Sequence, residues 1–195
     1  MTIDVSRQME HYIERLKLLL DRFDRDRFRQ LVEQLMTAYL NQAHIFVMGN
    51  GGSAATASHL AVDLNKGCGY NCDKRFRVIC LNDNIPSLLA YANDLAYEAV
   101  FVEQLKNFFH PGDVVIGLSA SGNSANVLAA IDWARQRGGI TIGLTGYDGG
   151  KLAGIVQTAL IAPSTDMQRI EDFHLIVMHM LMQAFHSRLQ NMVAI

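Results

Sequence analysis

The chain has 195 residues, half of them hydrophobic and 18% charged. That is enough apolar content for a sizeable core and it excludes wholesale disorder. Lys and Arg number 17 against 19 Asp and Glu, a formal net charge of -2, which excludes the global basic field of a non-specific nucleic-acid binder. No run of about 18 apolar residues occurs, so no membrane span is expected. The start, Met1-Thr-Ile-Asp-Val-Ser-Arg7, lacks the basic-then-apolar order of a secretory leader. The three cysteines, Cys68, Cys72 and Cys80, read as free thiols, because the CxxxC spacing of the first two has no further zinc ligands nearby. The expectation is a soluble, cytoplasmic protein.

In chain order, Val5, Met9, Tyr12, Ile13, Leu16, Leu19 and Leu20 form the stripe of an amphipathic helix. Asp24 is placed to cap a second helix with Phe28, Leu31, Val32, Leu35, Met36, Tyr39 and Leu40 on one face. The arginines and lysine of this region are read as a solvated helical face. After Asn41, short apolar runs alternate with helical patterns. The runs are 45–48, 76–81, 114–118, 140–144 and 158–162; the helical stretches lie near 54–66, 85–109, 124–137 and 149–156. Such alternation predicts a parallel sheet covered on both faces, and runs this continuously apolar suit doubly buried strands. The segment from about Thr165 to Met192 reads as one long helix carrying Ile170, Phe173, Val177, Leu181 and Phe185. The expected organisation is a single α/β domain over 1–195: N-terminal helices in 1–42, a sheet core in 43–163 and a C-terminal helix in 164–195.

In an open α/β sheet, ligands bind at the carboxyl ends of the strands. The first predicted strand is followed by Gly49-Asn50-Gly51-Gly52-Ser53 and the third by Ser119-Ala120-Ser121-Gly122-Asn123-Ser124, each leading into a helix. Glycine lets backbone approach a ligand, helix N-termini offer free N–H groups, and serine hydroxyls add short donors. Together they make an anion site without lysine, suited to a phosphate monoester. Gly49-x-Gly51-x-x-Ala54 also fits a loose dinucleotide pattern, but no acid follows at the usual spacing of about 20 residues, and no P-loop occurs. No nucleotide cofactor is expected.

These two loops, the second continued through Asn126, together with Leu144-Thr-Gly-Tyr-Asp-Gly-Gly-Lys151-Leu-Ala-Gly154, resemble the sugar isomerase (SIS) domain family, most closely its phosphoheptose isomerase branch. The resemblance covers essentially the whole chain. It implies a five-stranded parallel sheet flanked by helices, a flavodoxin-like or Rossmann-like sandwich, with an N-terminal helical pair and a long C-terminal helix. It also implies a homotetramer whose active sites are shared between subunits, and a phosphorylated sugar as partner, with neither membrane nor direct nucleic-acid contact. The implied activity is conversion of sedoheptulose 7-phosphate to D-glycero-D-manno-heptose 7-phosphate through an enediol.

Such chemistry needs a base near carbon and an acid or a metal near the oxygens. His59 and Asp63 stand four residues apart on one helical face, and Glu171 and His179 stand eight apart, about 80° around the axis. They match four family positions that hold a zinc ion in some members; in others the carboxylate and the last histidine are described as base and acid. Asp63 replaces the family's glutamate and Glu171 its glutamine. The resemblance thus makes Asp63, Glu171 and His179 catalytic candidates, and His59, Asp63, Glu171 and His179 candidates for one zinc. For the substrate it implies Asn50, Gly51, Gly52, Ser53, Asn93, Asp94, Ser119, Ala120, Ser121, Ser124 and Gln168. Ala120 stands where a threonine is common, and Gln168 where aspartate is. These departures keep open an isomerase for another phosphosugar. A non-catalytic member, either a phosphosugar binder or a regulator associated with a replication initiator, also stays open. That branch lacks the first-helix carboxylate and the final histidine, both present here. His174 is read as a satisfied packing residue, and His11, His44, His110 and His186 as surface or packing residues. The apolar stripes at both ends are expected to hide partly against other subunits.

Overall fold

A computed structural model describes residues 4–193, with side chains through residue 190. The chain opens with α1 (Val5–Asp21) and α2 (Arg25–Asn41). Asp24 caps α2 as its position predicts, accepting the backbone N–H groups of Asp26 and Arg27 at 3.1 and 2.9 Å. Then follow β1 (His44–Met48), α3 (Gly52–Val62), a π-helical turn (Asp63–Gly67), β2 (Arg77–Cys80), α4 (Ile85–Asp94) and a 3₁₀ turn (Tyr97–Ala99). The remainder is α5 (Val100–Phe108), β3 (Val114–Ser119), α6 (Ala125–Arg135), β4 (Ile140–Thr145), α7 (Gly150–Ile155), β5 (Thr158–Ile161) and α8 (Met167–Val193).

The five strands are all parallel, in the order β2-β1-β3-β4-β5. Alternate side chains of each strand enter opposite layers. Ile45, Val47, Val114, Ile116 and Leu118 join the layer of α2, α3 and α8, built on Leu31, Leu35, Leu60, Phe173 and Phe185. Phe46, Met48 and Val115 join the layer of α4 to α7, built on Phe101, Leu105, Val127, Ile131 and Leu152. Because both faces are covered, all six β3 residues are buried, and this is why the strands read as unbroken apolar runs.

Two regions differ from the sequence pattern. The stretch 85–109 is not one helix: α4 stops at Asp94, Ala96 is extended, and the chain re-enters helix at Val100. Asn93 and Asp94 favour local side-chain bonding over helix, and no residue of α4 is buried to hold a longer one in place. In α1, only Leu19 of the apolar stripe is buried, while Val5, Met9 and Ile13 are exposed. The helix is tied down instead by Tyr12, whose hydroxyl donates to Asp172 Oδ2 at 2.6 Å. Burial, followed by that bond, pushes the Tyr12 phenol up to about 12. The three cysteines are free and buried, and desolvation raises the Cys68 and Cys80 thiols to about 12, which makes them poor nucleophiles.

Candidate active site

From β1 the chain runs outward to β2, then returns to the far side of β1 as β3. The order therefore reverses between β1 and β3, where an open sheet offers a crevice. Both Gly/Ser turns leave strands at this point. They enclose a cleft of about 180 Å³ lined by Asn50, Ser53, Ser119, Ala120, Ser121 and Ser124, with Met167 and Glu171 from the start of α8.

The turns are held open by polar bonds between elements. Asn82, at the end of β2, grips Gly49 twice: its Oδ1 accepts the Gly49 N–H at 3.1 Å and its Nδ2 donates to the Gly49 carbonyl at 2.8 Å. Asn50 and Asn126 form a reciprocal amide pair at 2.9 Å each way, stitching one turn to the other. The Tyr97 hydroxyl donates to Asn50 Oδ1 at 2.8 Å, a contact that the break between α4 and α5 makes possible. Ser119 and Ser124 hydroxyls bond each other at 2.9 Å, and Ser121 Oγ accepts the Asn123 N–H at 3.2 Å.

Neither helix start is closed by the side chain of its N-cap residue. The α3 N-cap is Gly51, at φ 56° and ψ -125°, and Ser53 lies inside the helix rather than before it. Ser124 occupies the α6 N-cap position but makes no capping bond, because its hydroxyl is turned to Ser119. First-turn N–H groups of both helices thus remain for an anion, apart from that of Val127, which donates to Asn126 Oδ1 at 2.9 Å, and they are backed by the positive ends of two helix dipoles. The β3–α6 turn is also seated on the β4–α7 turn backbone to backbone. A Cβ on Gly122 would strike the Gly149 carbonyl, and one on Gly150 would strike the Ser121 carbonyl. Leu152 N–H donates to the Gly122 carbonyl at 2.9 Å.

The second group lies farther along α3. His59 Nε2 stands 3.3 Å from Asp63 Oδ2, as the four-residue spacing predicts, and 3.0 Å from His179 Nε2 of α8. The three ligand atoms lie within 4.8 Å of one another. Asp63 Oδ2 is buried and makes no hydrogen bond, so the contact to His59 is close without being well aligned. Two imidazole nitrogens facing each other beside an unsatisfied carboxylate oxygen form a convergent donor set that fits a divalent cation or a shared proton.

Glu171 is not brought into this group. Eight residues of helix separate it from His179 by about 12 Å along the axis, so a common lean is not enough. Its carboxylate lies against Gly52, where an added Cβ would collide with it, at the first turn of α3. Asn93 and Asp94 end α4 exposed, with Asn93 Nδ2 donating to Asp94 Oδ1 at 2.9 Å. Gln168 is exposed on the first turn of α8, outside the cleft lining. Asn82 and Tyr97 shape the site without having been singled out in the sequence, and Asn126 does so as the last residue of the motif that begins at Ser119. The only signal for Tyr97 is the Asn93-Asp94 interruption before it. His174, between Glu171 and His179, faces inward: its Nε2–H donates to the Thr145 carbonyl at 3.0 Å. Burial lowers its pKa to about 4, so it is a neutral structural histidine.

A parallel sheet with two uncapped, serine-lined helix starts at its switch point defines a binder of small phosphorylated ligands. The family model described as "SIS domain" matches residues 11–146, and this chain belongs to the SIS domain family. It is 40% identical over 157 residues to a phosphoheptose isomerase of Paramagnetospirillum magneticum, covering 80% of this chain and 81% of that protein. It is 37% identical over 178 residues to the phosphoheptose isomerase of a Helicobacter pylori strain, covering 91% of each. The solved structure of phosphoheptose isomerase from Neisseria gonorrhoeae superposes with a TM-score of 0.85 at 31% identity, covering 93% of this chain and 98% of that one.

Proposed function

We propose that this chain is a phosphosugar aldose–ketose isomerase that converts sedoheptulose 7-phosphate to D-glycero-D-manno-heptose 7-phosphate. The observation that carries this reading is the layout of α3. Its uncapped N-terminus faces the serine-lined cleft, and its far end presents His59 and Asp63 to His179. Kinship with phosphoheptose isomerases at about 40% identity supports the heptose substrate.

The cradle takes the phosphate on helix N–H groups and on the Ser53, Ser119, Ser121 and Ser124 hydroxyls, fixing the sugar so that its C1–C2 end reaches the cluster. Asp63 takes a proton from C1 while His179 gives one to the C2 oxygen, producing an enediol. Asp63 then returns a proton to C2, and His179 accepts the proton leaving the C1 oxygen, which becomes the aldehyde. The unsatisfied Asp63 oxygen suits the base role, since no hydrogen bond has to be broken first. His59, Asp63 and His179 are also the residues that would hold a zinc ion; Glu171, the fourth donor that the resemblance implies, lies apart from them against Gly52. A bound ion would polarise the carbonyl and steady the enediolate.

The assembly proposed is a homotetramer with sites shared between subunits, consistent with Val5, Met9, Ile13 and Leu18 lying exposed on α1. Three buried, unbridged thiols suit a cytoplasmic setting. Among the described residues, no helix is long and apolar enough to cross a membrane. The purified protein, given sedoheptulose 7-phosphate with zinc or with a chelator, is expected to form the aldoheptose 7-phosphate. Absence of turnover under every metal condition would overturn the assignment in favour of a non-catalytic binder.

A further inference from the structure

The opposite edge of the sheet, where the strands begin, carries a second group of ligand-type side chains. His44 opens β1, Asp113 immediately precedes β3, and His110 lies three residues earlier in the α5–β3 turn. Pairing of β1 with β3 brings these segments together. Asp113 Oδ2 faces His44 Nδ1 at 3.7 Å and His110 Nδ1 at 3.9 Å, and the three ligand atoms lie within 4.8 Å of one another. The two rings are nearly parallel, at 24°, with centroids 6.4 Å apart.

The carboxylate is held in place by backbone. Asp113 Oδ1 accepts the His44 N–H at 2.7 Å and Oδ2 accepts the His110 N–H at 2.8 Å, which leaves Oδ2 one more lone pair. Asp113 is only 4% exposed, and among the described residues no Lys or Arg forms an ion pair with it. Both imidazoles thus address one oxygen of a buried carboxylate from just beyond hydrogen-bonding distance. That spacing suits an atom held between them. Donors on a tetrahedral zinc, each about 2.0–2.2 Å from the metal, stand about 3.3–3.6 Å apart, so each imidazole needs to close on the carboxylate by only a few tenths of an ångström, and the two imidazole nitrogens on each other by at most about 1.5 Å. His110, mostly exposed in its turn, has room to swing inward. The adjoining cleft, about 470 Å³ and also lined by Gln42 and Arg77, leaves space for water to complete the coordination. The Arg77 guanidinium, which donates to the Gln42 carbonyl, opposes any cation in the cleft, so only one held by strong donor bonds would stay. Two imidazole donors favour a borderline metal over magnesium or calcium.

We propose that His44, His110 and Asp113 form a second, structural site for a divalent cation of the zinc class, tying the start of β1 to the α5–β3 turn and independent of the His59 cluster. The test uses the full chain with the first cluster silenced by His59→Ala and His179→Ala, stripped of metal and dialysed against micromolar zinc. That protein is expected to retain one zinc per chain, to show d–d absorption when cobalt replaces zinc, and to melt at higher temperature with zinc than without. Adding His110→Ala should weaken zinc binding at least about tenfold, because one of three protein ligands is gone, and should abolish the zinc-dependent shift in melting. His110→Ala alone should leave isomerase activity unchanged. No retained zinc in the folded His59→Ala/His179→Ala protein overturns the proposal, as does zinc retained undiminished after His110→Ala. Neither result bears on turnover by the unaltered enzyme, so the isomerase reading stands or falls separately.

Discussion

The phosphate cradle and the His59–Asp63–His179 cluster share one helix but are built by opposite means. The cradle is backbone: two uncapped helix starts, small side chains, no lysine or arginine in its lining. The cluster is side chain only, and it exists because α8 packs along α3 and delivers His179 to His59. In the proposed reaction the cradle would bind the same group in substrate and product, so it would contribute affinity that is nearly uniform along the reaction. In the proposed reaction the cluster addresses the atoms that change, so its contribution would belong to the transition state.

That division can be broken most sharply at the cluster. Asp63→Asn and His179→Ala are each expected to lower kcat by about 10²–10⁴-fold while leaving KM within a few-fold, measured by steady-state turnover of sedoheptulose 7-phosphate. Should both variants turn over normally, the cluster is not the chemical centre.

The next effect joins the two regions, because His174 docks α8 to the end of β4 between them. Its pKa is about 4 in the folded chain against an ordinary 6.5, so below 6.5 the unfolded chain binds a proton that the folded one refuses. Stability is therefore full above about pH 6.5 and falls as pH drops to about 4, by about 3 kcal/mol in all. Denaturant melts between pH 7 and 4 measure this slope. A His174→Gln variant should lose most of it, and a variant with an unchanged slope would show that other groups govern acid sensitivity.

Cradle variants should move the other kinetic constant. Ser119→Ala or Ser124→Ala removes a hydroxyl bond to a charged phosphate, worth about 1.5–3 kcal/mol, or about 10–100-fold in KM with kcat little changed. A loss confined to kcat would merge the two regions into one. Smallest is Glu171→Gln. Taking a carboxylate away from the first turn of α3 should lower KM by about 2–5-fold, the scale of one charge at a helix end. If kcat instead falls tenfold or more, Glu171 works with the cluster despite lying against Gly52.

The same contrast explains what the sequence discloses. Each half of the cradle is contiguous, so five or six residues rich in glycine and serine after an apolar run show its shape. The parallel sheet is equally plain, because burial on both faces leaves no polar alternation in 114–118. The pairing of His59 with Asp63 follows from helical spacing, but the arrival of His179, and the failure of Glu171 to follow it, depend on how α8 lies on α3. Tyr97 and Asn82 reach the site from elements whose sequences carry no ligand-like signature. The break between α4 and α5 is hidden because the apolar pattern continues across it. His44 meets His110 and Asp113 only through the β1–β3 register, and taken singly each looks like ordinary surface or packing.

The seam between Gly122 and Gly150 also constrains how such a protein can diverge. Carbonyl meets glycine on both sides, so a side chain at either position cannot be accommodated by trimming its neighbour: the obstacle is main chain. Compensating mutations, the usual route by which lineages escape a tight contact, have nothing to act on there. Descendants can exchange hydroxyls, acids and amides around the cleft, and so wander among ligands, while the outline of the proposed phosphate pocket is passed on unaltered.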